Sequence, residues 1–208
     1  MIINSRAFVK TLLVVTGLIS LSSCSFLSPV KPDQQQSYVL TKVPAVAKKT
    51  TRPYTLLVTP PDTRPVYNTA QMAYTVRPYQ IAYFSENRWA ETPSQMLEAL
   101  IVQTMQKTNY FRAVVTPPYA GNYTYLLSTQ ISEFQQDYTH RPALFRMIVQ
   151  AQLNRFANSQ LIASKTFSAT VPIQSNNPYA GVFAANIASA SILKQLADFT
   201  IANIAQRD

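Results

Sequence analysis

The sequence predicts an α+β domain: a largely antiparallel sheet with two helices packed on one face. Three observations predict it. Residues 123–132, 146–154 and 160–171 alternate apolar and polar side chains, the period of a strand with one covered face. Thr92-Pro93-Ser94-Gln95 opens a run with apolar residues three and four apart, the period of an amphipathic helix. From Pro178 to Ala205 the chain is apolar almost throughout, long enough for a second helix.

The N-terminus reads as an address. Arg6 and Lys10 precede residues 11–21, TLLVVTGLISL, a run shorter than the ~20 residues of a membrane-spanning helix. A positive start, a short apolar run and then small residues describe an export signal. Leu21-Ser22-Ser23-Cys24 ends on the only cysteine of the chain. It resembles the lipobox of bacterial lipoproteins, in which the cysteine is acylated and becomes the first mature residue. The other reading is a plain signal peptide cut near Ser23. On the lipobox reading, residues 1–23 are the signal and residues 24–37 are the acylated Cys24 with a tether. Residues 38–208 form one domain. Each buried CH₂ contributes ~0.8 kcal/mol, so several chains on Cys24 hold far more firmly than one. Ser25 stands where Asp would mark inner-membrane retention, which points to the periplasmic face of the outer membrane. The tether, SFLSPVKPDQQQS, reaches roughly 20 Å as a flexible coil.

The strands begin with Tyr38-Val39-Leu40. Residues 54–59 follow, stopped by Pro60-Pro61. A hairpin-like pair then places Met72, Tyr74 and Val76 on one side, and Tyr79, Ile81 and Tyr83 on one side of its return. The first helix has Thr92 at N-cap, Pro93 at N1 and Gln95 at N3, a capping box. Met96, Leu97, Leu100, Ile101 and Met105 form its apolar face, and it ends near Thr108-Asn109. Residues 111–116 make a strand stopped by Pro117-Pro118. Of the three long strands, the last two are joined by Ala157-Asn158-Ser159, and Leu161, Ala163, Phe167, Ala169 and Val171 line the apolar side of the final one. Each has one polar face, as an antiparallel sheet exposed on one side requires. Between residues 182 and 206 only Lys194 and Asp198 carry charge. The last helix is therefore either sandwiched or in contact with a partner.

Composition excludes several chemistries. The three glycines, Gly17, Gly121 and Gly181, are far apart, so no glycine-rich loop exists to bring backbone against a phosphate. One cysteine and one histidine make neither an intrachain disulfide nor a Cys- or His-rich metal site. The formal charge is +9, and signal cleavage would remove Arg6 and Lys10 from it. For an exported, anchored chain the acidic neighbours are phospholipid headgroups or a protein face rather than nucleic acid. The basic residues are scattered, so solubility explains the charge as well.

Catalysis finds little support. His140 lies in a polar loop between two strands, where a histidine is ordinarily solvated, and no Gly-x-Ser-x-Gly elbow accompanies it. Glu86 with Glu91, and Glu133 with Asp137, are the paired carboxylates, and nothing in their spacing forces convergence across a cleft. Arg88-Trp89-Ala90-Glu91 precedes the first helix. Trp and Arg are enriched in binding hot spots, so Arg88, Trp89 and Glu91 are candidates for contact with a partner. Trp89 alternatively roofs the core where strand meets helix. No enzyme, metal or cofactor is expected.

A wider pattern joins these pieces. Tyr67-Asn68-Thr69-Ala70-Gln71-Met72-Ala73-Tyr74, the Arg88-Trp89-Ala90-Glu91 stretch and Ser132-Glu133-Phe134 occur in order. Ala151-Gln152-Leu153, Ser164-Lys165-Thr166-Phe167 and Ala180-Gly181-Val182-Phe183-Ala184-Ala185 follow. In this the chain resembles the ABC-type transport auxiliary lipoproteins over about residues 38–205. It departs from them in carrying Phe199-Thr200 where their last helix commonly keeps a Trp. The resemblance implies a non-catalytic docking component that partners an MCE-type periplasmic protein. The ABC system concerned moves phospholipids or other apolar molecules between the two membranes. Self-association through the last helix is a further expectation. The alternative is a structural or assembly lipoprotein of the outer membrane that binds a barrel protein or the cell wall.

Overall fold

The structure, a computed structural model, describes residues 35–206. The signal peptide, Cys24, the tether up to residue 34 and Asp208 lie outside the described residues.

One strand organises the rest. β7 (Tyr125–Asp137) pairs along its whole length with β8 (Leu144–Arg155), which pairs in turn with β9 (Gln160–Pro172), both antiparallel. Its other edge is shared by three strands in succession, all parallel to it. β2 (Arg52–Val58) takes the start, β3 (Asp62–Thr63) the middle and β4 (Gln71–Thr75) the end. β6 (Phe111–Val115) extends the sheet beyond β2 in parallel. β5 (Ala82–Trp89) pairs antiparallel with β4, and β1 (Gln36–Tyr38) closes that end parallel to β5. The result, among the described residues, is a nine-stranded mixed sheet in an α+β domain. The long ladders are antiparallel as expected, and the short N-terminal strands join in parallel.

Two helices cover one face. α1 (Pro93–Lys107) starts at the expected capping box, with the Thr92 hydroxyl accepting from Gln95 N and the Gln95 side chain accepting from Thr92 N at 3.0 Å. Met96, Leu97, Leu100, Ile101 and Met105 are its buried side. α2 (Pro178–Ala205) starts at Asn177, whose Oδ1 accepts from Ala180 N at 2.8 Å, with Pro178 in the first turn. It packs on β8 and β9 and touches α1. Ala184, Ala185, Ala188 and Ser189 are buried, small enough for close approach, and the Ser189 hydroxyl lies 3.6 Å from Met147 Sδ. One core contains Leu56, Val58, Ile101, Met105, Leu127, Ile131, Met147, Leu153, Phe167, Leu193 and Leu196. Each such large apolar side chain stabilises the fold by roughly 1.5–3 kcal/mol through burial. No helix among the described residues is long and apolar enough to cross a membrane.

The structure differs from the sequence expectations at four places. The first strand is Gln36–Tyr38, so it begins inside the stretch read as tether. Val39 and Leu40 are not strand, because Asn186 on α2 engages the backbone there. Its Oδ1 accepts from Thr41 N at 2.9 Å and Lys42 N at 3.1 Å, and its Nδ2 donates to Val39 O at 3.4 Å. Tyr79 and Ile81 belong to the β4–β5 turn, where Tyr79 has φ 66° and projects into solvent. Leu161 is exposed and Ile162 buried, since an irregularity in the β8–β9 ladder shifts the alternation by one residue. The wide apolar surface of α2 is mostly explained by its being sandwiched between the sheet, α1 and residues 39–42.

Candidate functional site

The β5–α1 junction holds the three expected contact residues. Trp89 is 2% exposed, its ring 5.4 Å from that of Phe134, and its backbone N–H donates to Ala70 O at 2.7 Å. Of its two readings the structure places it in the core, where the indole offers almost no surface to a partner. Arg88 and Glu91, on either side, are exposed. Arg88 Nε reaches Trp89 O at 3.3 Å, and Glu91 rims a groove of about 360 Å³ between residues 39–41 and α1. No ion pair joins the two.

A second feature lies on the sheet face away from the helices. A β-bulge between Ile131 and Glu133 adds one residue to β7. Before it, Tyr125, Leu127 and Ile131 face the core; after it, Phe134 and Gln136 do. Glu133 and Gln135 are thereby turned outward. Arg146 sits opposite Gln135 in the register, which makes Glu133 and Asp137 its diagonal neighbours. Its Nε meets Glu133 Oε1 at 2.8 Å, and its Nη1 lies 3.7 Å from Asp137 Oδ2. His140 Nδ1 approaches Asp137 Oδ2 at 3.3 Å, and Thr139 N donates to Asp137 Oδ1 at 2.9 Å. An open cleft of about 670 Å³ lies over this network, lined by Arg64, Tyr67, Glu133, Gln135, Asp137, Thr139 and the β4–β5 turn.

The electrostatics follow from these contacts. Burial alone would raise the Asp137 carboxyl. The side-chain and backbone hydrogen bonds from Thr139, followed by His140, outweigh it and hold the carboxyl below its ordinary range. Burial, aided by the Glu133 charge, pushes the Tyr67 hydroxyl up to about 12. The carboxylates are occupied: Glu133 Oε1 also accepts from Gln135 Nε2 at 3.0 Å. Glu86 is exposed on β5 and does not converge with Glu91 into a cleft. Among the described residues no group of three metal-type ligands occurs. This arrangement braces the β7–β8 ladder and its outgoing loop. Sequence reasoning missed it because the bulge, which alternation does not reveal, decides which way Glu133 and Gln135 face.

A model of the family described as ABC-type transport auxiliary lipoprotein component matches residues 38–197. The chain belongs to that family. This auxiliary lipoprotein resembles, among solved structures, protein XCC0632 from Xanthomonas campestris. The two are 19% identical with a TM-score of 0.74, covering 82% of this chain and 98% of that one. Another, an uncharacterized protein, is 16% identical with a TM-score of 0.61, covering 78% and 98%. At these identities the likeness is one of fold. No curated protein matches the chain. The stretches through which the auxiliary lipoprotein resembles its family each contribute packing residues: Tyr67, Met72, Trp89, Phe134, Ala151, Leu153, Phe167 and Ala185 are all buried. Gly181 belongs with them. A Cβ there would stand 2.1 Å from the side chain of Gln136, so the first turn of α2 closes on β7 only because the residue has none.

Proposed function

We propose that the chain is a lipid-anchored periplasmic protein and the non-catalytic docking component of an MCE-type ABC system. That system moves phospholipids or other apolar molecules between the inner and outer membranes. The observation that carries this reading is the family match across residues 38–197. The lipobox-like Leu21-Ser22-Ser23-Cys24 supports the anchor, and Ser25 supports the outer membrane. The mechanism is positional. Acyl chains on Cys24 fix one end, and the folded domain presents a surface to the transporter, with the exposed Arg88 and Glu91 as charges available for contact.

Affinity purification of the lipidated chain from gently solubilised envelopes tests the partner. An MCE-domain protein is expected in the eluate, and deletion is expected to increase envelope permeability to apolar dyes. Recovery of a barrel protein or of cell wall instead, with permeability unchanged, overturns the reading in favour of an assembly lipoprotein.

A further inference from the structure

Where the described chain begins, the surface is aromatic. Tyr179 and Phe183, one turn apart on α2, are 66% and 60% exposed, although the same helix buries its other face in the core. Tyr38 at the end of β1 lies against Tyr179, ring centroids 6.1 Å apart. Val39, 46% exposed, follows it, and its carbonyl is held by Asn186, one turn beyond Phe183. Four large side chains, Tyr38, Val39, Tyr179 and Phe183, thus form one patch rather than scattered points, and a contiguous apolar patch calls for an occupant. Lys42 adjoins it, its backbone tied to the same Asn186. Glu91 is the acidic group nearby, on the rim of the groove beyond Val39.

Two facts point to the occupant. Ten residues separate Cys24 from Gln35, and eleven peptide steps span at most about 40 Å. A bilayer holding acyl chains on Cys24 therefore stays within reach of this patch at high effective concentration, an advantage no diffusing protein has. Tyr and Phe beside Lys is also the chemistry of a membrane interface: rings enter the headgroup region, phenol hydroxyls stay wet and ammonium groups meet lipid phosphates.

We propose that this patch rests on the surface of the anchoring bilayer, with Phe183 and Tyr179 entering the headgroup–acyl boundary. The inference rests on the acylation of Cys24 in the functional reading above. It gives the domain a fixed face toward the lipid and leaves the β8–β9 turn at the far end. β9 spans 13 residues from that turn to the segment leading into the start of α2, roughly 40 Å of strand.

The test uses the full lipidated chain in vesicles of phosphatidylethanolamine and phosphatidylglycerol, with and without brominated acyl chains. Phe183→Trp places a reporter in the patch, and Leu161→Trp places one at the exposed start of β9. Trp89, buried in the core, contributes a constant background. The expected result is a blue shift and strong bromine quenching of the Phe183→Trp emission, with neither for Leu161→Trp. A chain that floats with the vesicles while Phe183→Trp stays unquenched overturns the patch and leaves the anchor standing. A chain that does not float overturns the anchor and the patch together. A blue shift that appears without vesicles at high protein concentration shows a second copy on this face, and also overturns the proposal.

Discussion

Asp137 joins the outer-face network to the loop that leaves it. Its carboxyl titrates below its ordinary range in the folded chain. The folded state then binds fewer protons than the unfolded state between the two values. Its contribution is fully present above the unfolded value of about 3.9 and disappears as pH falls through the folded one. Chemical denaturation of Asp137→Asn is expected to show lower stability than the parent at neutral pH, with the difference vanishing in strong acid. A difference that persisted unchanged in acid would place the effect elsewhere than in this charge. Gly181 makes a steric case. Gln136 is buried, and its Oε1 accepts from Tyr138 at 2.7 Å, so its side chain does not swing aside freely. Gly181→Ala is expected to cost about 1–3 kcal/mol in urea denaturation, and adding Gln136→Ala to recover part of that loss. At this scale the sequence was legible for Trp89 only as a choice between core and contact, because burial depends on Phe134, forty-five residues later. The Arg146 network was not legible at all, since it needs both the register and the bulge.

The helices were the most readable elements. Thr92 through Gln95 mark the start of α1 by capping chemistry that owes nothing to the rest of the fold, and the run from Pro178 to Ala205, apolar almost throughout, marks α2. The pattern misleads at Val39 and Leu40 for the opposite reason. Their apolar β-type side chains suggest a strand, but a distant Asn186 takes the backbone groups there. Asn186→Ala removes all three contacts. The expected outcome is faster amide hydrogen exchange at Thr41 and Lys42, with a global loss of about 1.5–4.5 kcal/mol, since each of the three hydrogen bonds contributes ~0.5–1.5 kcal/mol net. Unchanged exchange at both amides would show that the strap is held by packing of Leu40 alone.

At the level of the whole molecule, alternation distinguished strand from helix but not parallel from antiparallel, because side-chain period is blind to strand direction. The long antiparallel hairpin of β8 and β9 was visible through its short turn. The parallel joins of β2, β3 and β4 to β7 were not, since their partners are separated by long stretches of chain. The anchor belongs to this scale too. Cys24→Ala is expected to move the chain from the membrane to the soluble fraction, and mass spectrometry of the mature parent to show an acylated N-terminal cysteine. Retention of the variant in membranes, or an unmodified thiol, would remove the basis for a tethered role. The placing of β7 also sets a timetable. A polypeptide delivered through a channel from its N-terminus releases Leu56, Val58 and Met72 well before Tyr125–Asp137 arrives to receive them. Until then β2 and β4 can pair only with β6 and β5, and the edge each turns to β7 stays open, so the first half of the chain must be kept from aggregating while the second half is still in transit.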